Sequence, residues 1–190
     1  LVVYNQIQFI QNKNLGFQKD QIIHFTRDGK LNENLNTFLS EVKSIPTVVN
    51  AAGMRSDLLE NRTRTTGVRW EGYTEDNAIA FKYMSVGYDL LETIGVEMAE
   101  GRSFKEAFGN EENKIIFNEA AIRAMGLEDP IGKTVRQWGT DKQIVGVVKD
   151  FHFESLYEPI YPCFIFLGEN TSEIMVKIEA GTEKTTLSQL

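Results

Sequence analysis

Residues 86–167 contain VGYDLLETIGVEMAEGRSF (86–104), NKIIFNEAAIRAMG (113–126) and DPIGKTVRQWGTDKQIVGVVKDFHFESLYEPIYPCFIFL (129–167). Short apolar strands alternate in this stretch with short capped helices and Gly/Pro turns. The polar residues are scattered rather than gathered. Asn118 stands where a helix N-cap belongs, and the helix behind it, residues 119–125, stops at Gly126. Residues 88–94 read as a short helix that Gly95 ends. Residues 134–138 and 143–148 read as a hairpin across Gly139-Thr140-Asp141, and 163–167 as a strand.

Upstream, residues 21–26 read as a strand and Asp28-Gly29 as a turn. Leu31, Leu35, Phe38, Leu39 and Val42 then recur at spacings of an amphipathic helix. Ile45-Pro46 ends that helix, because proline disfavours helical geometry at the residue before it. Residues 47–53 form a second strand, which completes a βαβ-type unit. From Met54 the character changes: 62–71 and 79–86 read as strands, with Gly72 and the acidic 75–77 run turning between them. Residues 173–179 are the last strand, with Ile174, Val176 and Ile178 on one face. Separated helices and hairpins of this kind make an α+β pattern.

The ends read as parts of longer elements. Val3, Ile7 and Ile10 recur at helical spacing before a stop at Gly16, and 181–190 open another helix. The first residues lack the basic, apolar and small-residue regions of a signal peptide. No apolar run approaches the roughly 18–20 residues that span a bilayer. The expectation is a segment of a larger protein.

With 190 residues, 42% hydrophobic and 25% charged, the chain can bury a sizeable core. A formal net charge of −7 argues against nucleic acid as a partner, which needs clustered Lys and Arg. Cys163, the sole cysteine, sits in an apolar run and reads as a buried small hydrophobe.

A reaction centre is hard to assemble. Gly132-Lys133-Thr134 imitates the tail of a phosphate-binding loop, but Leu127 stands where the first glycine is required, so a tight turn is the reading. Asp150-Phe151-His152 with Glu154 is the best local catalytic or metal candidate, and it reads as a structural pair at a strand end. His24 reads as a strand histidine. Glu75-Asp76, Glu111-Glu112 and Glu128-Asp129 all read as solvated turns, with no apolar wall to desolvate a general acid. Trp70, Tyr73, Phe81, Tyr83, Tyr88 and Trp138 read as sheet packing, with a ligand groove as the alternative. No catalytic, cofactor-binding or metal residue is therefore assigned, and the expectation is a protein that is not an enzyme and needs no cofactor.

Five pieces in this order carry a resemblance: Tyr88-Asp89-Leu90-Leu91-Glu92-Thr93-Ile94-Gly95, Gly101-Arg102-Ser103-Phe104, Asn118-Glu119-Ala120-Ala121, Asp129-Pro130-Ile131-Gly132-Lys133-Thr134, and the run from Ile144 to His152. Together they resemble the extracytoplasmic core domain of MacB-type, FtsX-like ABC transporter permeases, over roughly residues 15–180. The resemblance implies two lobes. One is a membrane-proximal βαβ-type lobe of residues 1–53 plus 172–190, and the other a mostly β inserted lobe of 54–171. It also implies flanking transmembrane helices and a place on the extracytoplasmic (periplasmic) face of a bacterial inner membrane. The implied partners are a cytoplasmic ABC ATPase subunit and a second permease copy, with a periplasmic adaptor or an exported peptide or lipoprotein beyond them. The implied role is coupling of ATP hydrolysis to movement or substrate handling outside the membrane. A stand-alone peptide- or lipid-binding module, or a small hydrolase using His152, Asp150 and Glu154, are the alternatives.

Overall fold

The computed structural model describes residues 21–27, 34–55, 64–151, 159–168 and 171–190. The expected first helix with its stop at Gly16, and the turn at Asp28-Gly29, lie outside these residues. So do Leu31, His152 and Glu154.

Strand β1 (Ile22–Thr26) precedes helix α1 (Leu35–Lys43), and Val48–Met54 forms β2. The helix stops before Ile45-Pro46, as the proline requires. Two short strands, β3 (Arg64–Thr65) and β4 (Val68–Arg69), replace the single run expected over 62–71. Residues Glu75–Asn77 make a 3-10 turn, capped reciprocally by the Thr74 and Asn77 side chains. Next come β5 (Phe81–Val86), α2 (Leu90–Ile94), β6 (Met98–Gly101) and β7 (Lys114–Asn118). Then follow α3 (Glu119–Met125), β8 (Thr134–Gln137), β9 (Thr140–Val148), β10 (Cys163–Leu167), β11 (Glu173–Ile178) and α4 (Glu183–Leu187).

Helix α3 forms where the sequence placed it. The Asn118 side chain accepts a hydrogen bond from the Ala121 N–H at 3.0 Å, which satisfies one of the donors the first turn leaves free. At its other end Gly126 adopts φ 66°, and the Leu127 N–H reaches back to the Ile122 carbonyl, closing a Schellman turn. The hairpin between β8 and β9 differs from expectation. Its turn is two residues, Trp138 (φ 49°) and Gly139 (φ 86°), not 139–141. Two successive positive φ angles match the right-handed strand twist. Tryptophan is an unusual occupant, and two anchors hold it: its N–H donates to the Gly67 carbonyl at 2.8 Å, and its indole donates to Thr65 Oγ1 at 3.1 Å.

The strands form one mixed sheet in the order β1-β11-β2-β5-β10-β7-β9-β8-β4, with β3 on β5 and β6 on β9. The β5–β10 and β7–β9 pairs are parallel; the other pairs are antiparallel. The α+β expectation holds. The chain enters β1 beside the place where it leaves β11: the Ile178 N–H donates to the Gln21 carbonyl at 2.8 Å.

One link in the sheet is narrow. β2 meets β5 through a single registered pair, Met54 and Val86, near the ends of both strands. To one side lie β1, β11 and β2, whose side chains Ile23, Phe25, Ala51, Ile174, Val176 and Ile178 build a core with Val42 of α1. The face shared by Ile174, Val176 and Ile178 is the one the alternation pattern marked. To the other side Phe81, Phe117 and Phe164, all fully buried, centre a second core with Trp70, Ile115, Val135 and Ile144. A third core bridges the link, combining Ala52, Met54 and Met175 with Met84, Leu90, Ile94 and Val148. Burial of each such side chain contributes about 1.5–3 kcal/mol, so the bridging core joins the two groups of strands far more strongly than the lone registered pair does.

Candidate functional site

The residues weighed for chemistry do not converge. Asp150 accepts from the Ala120 N–H at 2.8 Å and pairs with Arg123, so it fastens the start of α3 to the end of β9. Cys163 is buried and its Sγ points to the Phe164 carbonyl at 3.5 Å. Burial pushes its thiol well above the ordinary range, the opposite of what a nucleophile needs. Gly132, at φ 88°, turns the chain into β8 as expected. Among the described residues no three His, Cys, Asp or Glu side chains gather to hold a metal ion.

The aromatic residues pack on one another. Tyr83 stacks on Phe164 with ring centroids 5.7 Å apart, and Trp138 meets Tyr83, Phe164 and Phe166 edge-on. Trp70 sits edge-on to Tyr73 and Phe81, and its indole donates to the Met125 carbonyl at 3.0 Å. These rings fill a sheet face, as the packing reading expected.

Two acidic residues, Glu173 and Glu111, are buried. His24 Nε2 lies 2.7 Å from Glu173 Oε2 between β1 and β11, with side chains 12% and 8% exposed, and Thr26 Oγ1 reaches the other Glu173 oxygen. Nothing in the alternation around residue 173 marks this partner. Glu111 corrects the solvated-turn reading of Glu111-Glu112. Its side chain is wholly buried, with Arg102 Nη1 2.9 Å from Oε1, while Glu112 is exposed as expected. Glu75, Asp76, Glu128 and Asp129 are exposed too. No local pattern marks Glu111, because Arg102, which supports a carboxylate that would otherwise be costly to bury, belongs to another segment.

Glu111 belongs to the wall of a cleft of about 610 Å³. Leu35, Leu39 and Lys43 of α1 face it from one side, and Glu106, Glu111 and Glu112 from the other. Its floor is the narrow link of the sheet, with Gly53 near the end of β2 and Gly87 and Gly168 just after β5 and β10. Backbones come close there: the Gly87 N–H donates to the Gly53 carbonyl at 2.9 Å, and a Cβ on Gly168 would fall 1.8 Å from Ser85 Oγ. Lys43 Nζ reaches across to Asp89 Oδ2 at 2.7 Å, tying α1 to the start of α2. Burial first, then the Glu111, Glu106 and Glu112 carboxylates, push the Tyr88 phenol above its ordinary value. Three negative charges thus bear on one point of the cleft.

Neither a protein-family model nor a curated protein matches the sequence. Solved structures do. The periplasmic region of MacB from Actinobacillus actinomycetemcomitans superposes with a TM-score of 0.58 and 15% identity, over 92% of this chain and 84% of that one. The fold is that of the MacB periplasmic region. The extracellular domain of the noncanonic ABC-type transporter YknZ from Gram-positive bacteria shares this MacB-like fold. It superposes with a TM-score of 0.56 at 14% identity, over 86% of each chain. A permease-protein domain from Porphyromonas gingivalis gives 0.51 at 18% identity, over 76% of this chain and 62% of that one. These MacB-like neighbours are thus a periplasmic region, a transporter's extracellular domain and a permease-protein domain.

Proposed function

We propose that this chain is the extracytoplasmic, non-catalytic domain of an ABC transporter permease. In that role it couples nucleotide-driven motion of cytoplasmic ATPase subunits to movement or substrate handling outside the membrane. The observation that carries the reading is the MacB-like fold over 92% of the chain. The adjacency of Gln21 and Ile178 supports it, since an insertion between two membrane helices needs entry and exit points close together. No helix among the described residues is long and apolar enough to cross a membrane, so on this reading flanking segments supply the anchor.

The proposed lobes are residues 1–53 plus 172–190, next to the membrane, and 54–171, inserted beyond them. In support, one apolar core draws only on the first set and another only on the second. The bridging core would let the pair move as one stiff body, which suits transmission of a push better than a loose joint would. Partners on this reading are the ATPase, a second permease copy and an external adaptor or cargo.

The test is made on the intact reading frame, expressed with an affinity tag. The expected result is a membrane-bound protein whose 21–190 region is cut by protease added outside spheroplasts and which co-purifies with an ATP-binding subunit. A protein recovered free of membranes, or a region protected until the inner membrane is opened, overturns it.

A further inference from the structure

Sulfur is unevenly shared among the three cores. All five methionines of the chain are among the described residues. Met54, Met84 and Met175 belong to the bridging core together with Cys163, and Met98 packs against that core from β6. Only Met125 lies elsewhere, in the core around Phe81. The joint between the two groups of strands is therefore the sulfur-rich part of the molecule.

The thioethers differ in access. Met54 and Met84 are 3% exposed, Met175 4% and Met125 7%, whereas Met98 is half-buried on a strand whose other residues are exposed. Its seat depends on one glycine: a Cβ on Gly146 would fall 2.5 Å from Met98 Cε, so the methyl fills space that a larger residue on β9 would take. Met98 stands opposite Val148 of the bridging core, and the β6–β9 register slips between Met98 and Glu100. A short edge strand with an interrupted ladder relies on that seat.

We infer that Met98 is an oxidation site whose sulfoxide loosens the joint. The oxidant is a peroxide or a hypohalous acid. With hydrogen peroxide, an electron pair on the thioether sulfur attacks one oxygen, the S–O bond forms as the O–O bond breaks, and the other oxygen leaves as water. The sulfur loses two electrons and the peroxide gains them. The product is a polar group in an apolar seat, which is costly unless the group moves out to water. β6 then lifts from β9 and the thioethers beneath it become accessible. The inference rests on the proposed transporter role only for where oxidant is met; the chemistry is a property of the 190-residue chain.

The 190-residue chain is treated with dilute hydrogen peroxide, and sulfoxide at each methionine is followed by peptide mass spectrometry. Met98 is expected to oxidise at least about tenfold faster than any other methionine, with Met54, Met84 and Met175 following only after it. Met98→Leu, close in volume and inert to peroxide, is expected to slow oxidation of those three at least about threefold and to leave Met125 unchanged. Chain oxidised at Met98 alone is expected to melt about 5 °C lower, and enzymatic reduction of the sulfoxide to restore the native value. Oxidation of Met98 no faster than that of Met125 overturns the inference, and so does an unchanged melting temperature after Met98 is oxidised. Equal oxidation of the bridging methionines in the native chain and in folded Met98→Leu overturns it too. Each of these outcomes leaves the membrane-localisation experiment untouched.

Discussion

Asn118 does three things with one amide. Its Oδ1 accepts from the Ala121 N–H at 3.0 Å and from the Cys163 N–H at 2.8 Å, and its Nδ2 donates to the Tyr161 carbonyl at 3.0 Å. The first bond was legible, because an asparagine before an apolar helix is an N-cap signal. The other two join β7 to β10 and depend on chain folding no local pattern encodes. Next to it, Cys163 gives a pH test. Its folded thiol titrates far above the unfolded one, which ionises near 8.5. Below that range the thiol leaves stability independent of pH. Above it the unfolded chain sheds a proton that the folded chain keeps, so stability falls with rising pH. Relative to Cys163→Ala, the native protein is expected to lose about 1 kcal/mol between pH 8.5 and 9.5 in urea unfolding. A native chain whose thiol reacts with a disulfide reagent at the unfolded rate would contradict the burial. Glu111 marks the opposite case, a buried carboxylate with no local signal, because its supporting guanidinium is on another segment.

At the scale of elements, the turn between β8 and β9 shows where pattern reading fails. Tryptophan favours strands, so Trp138 was placed in one, and glycine drew the turn onto 139–141. The structure spends an unfavourable positive φ on Trp138 because the indole gains a slot against Thr65 and Gly67. A Cβ on Gly67 would lie 2.4 Å from Trp138 Cδ1. Gly67→Ala is therefore expected to displace the indole and cost about 1–3 kcal/mol. The readout is a shift in tryptophan emission together with a lowered urea midpoint; an unchanged spectrum and midpoint would show that the slot is loose. β6 was silent in the sequence for a different reason. Met98–Gly101 is largely exposed at the edge of the sheet, so no apolar period accompanies it, and pairing with β9 alone defines the strand. Helix α3, capped at both ends by its own residues, was legible throughout.

For the molecule as a whole, the bridging core decides whether the two groups of strands can part. Leu90, 1% exposed, sits in that core with Met54 and Met175 from one side and Met84 and Val148 from the other. Leu90→Ala is expected to cost about 2–5 kcal/mol and to lower both groups together. Tryptophan fluorescence reports only the larger group, through Trp70 and Trp138, whereas far-ultraviolet circular dichroism reports both. The two probes should give one coincident transition in the native chain and in the variant. Separate midpoints would show two independently unfolding units. The meeting of Gln21 with Ile178 reaches further. Strands side by side are about 5 Å apart, so everything between those residues could be spliced as a cassette into a tight loop of an unrelated host. The host would need no linker to close the gap, and the graft would leave its own frame unstretched.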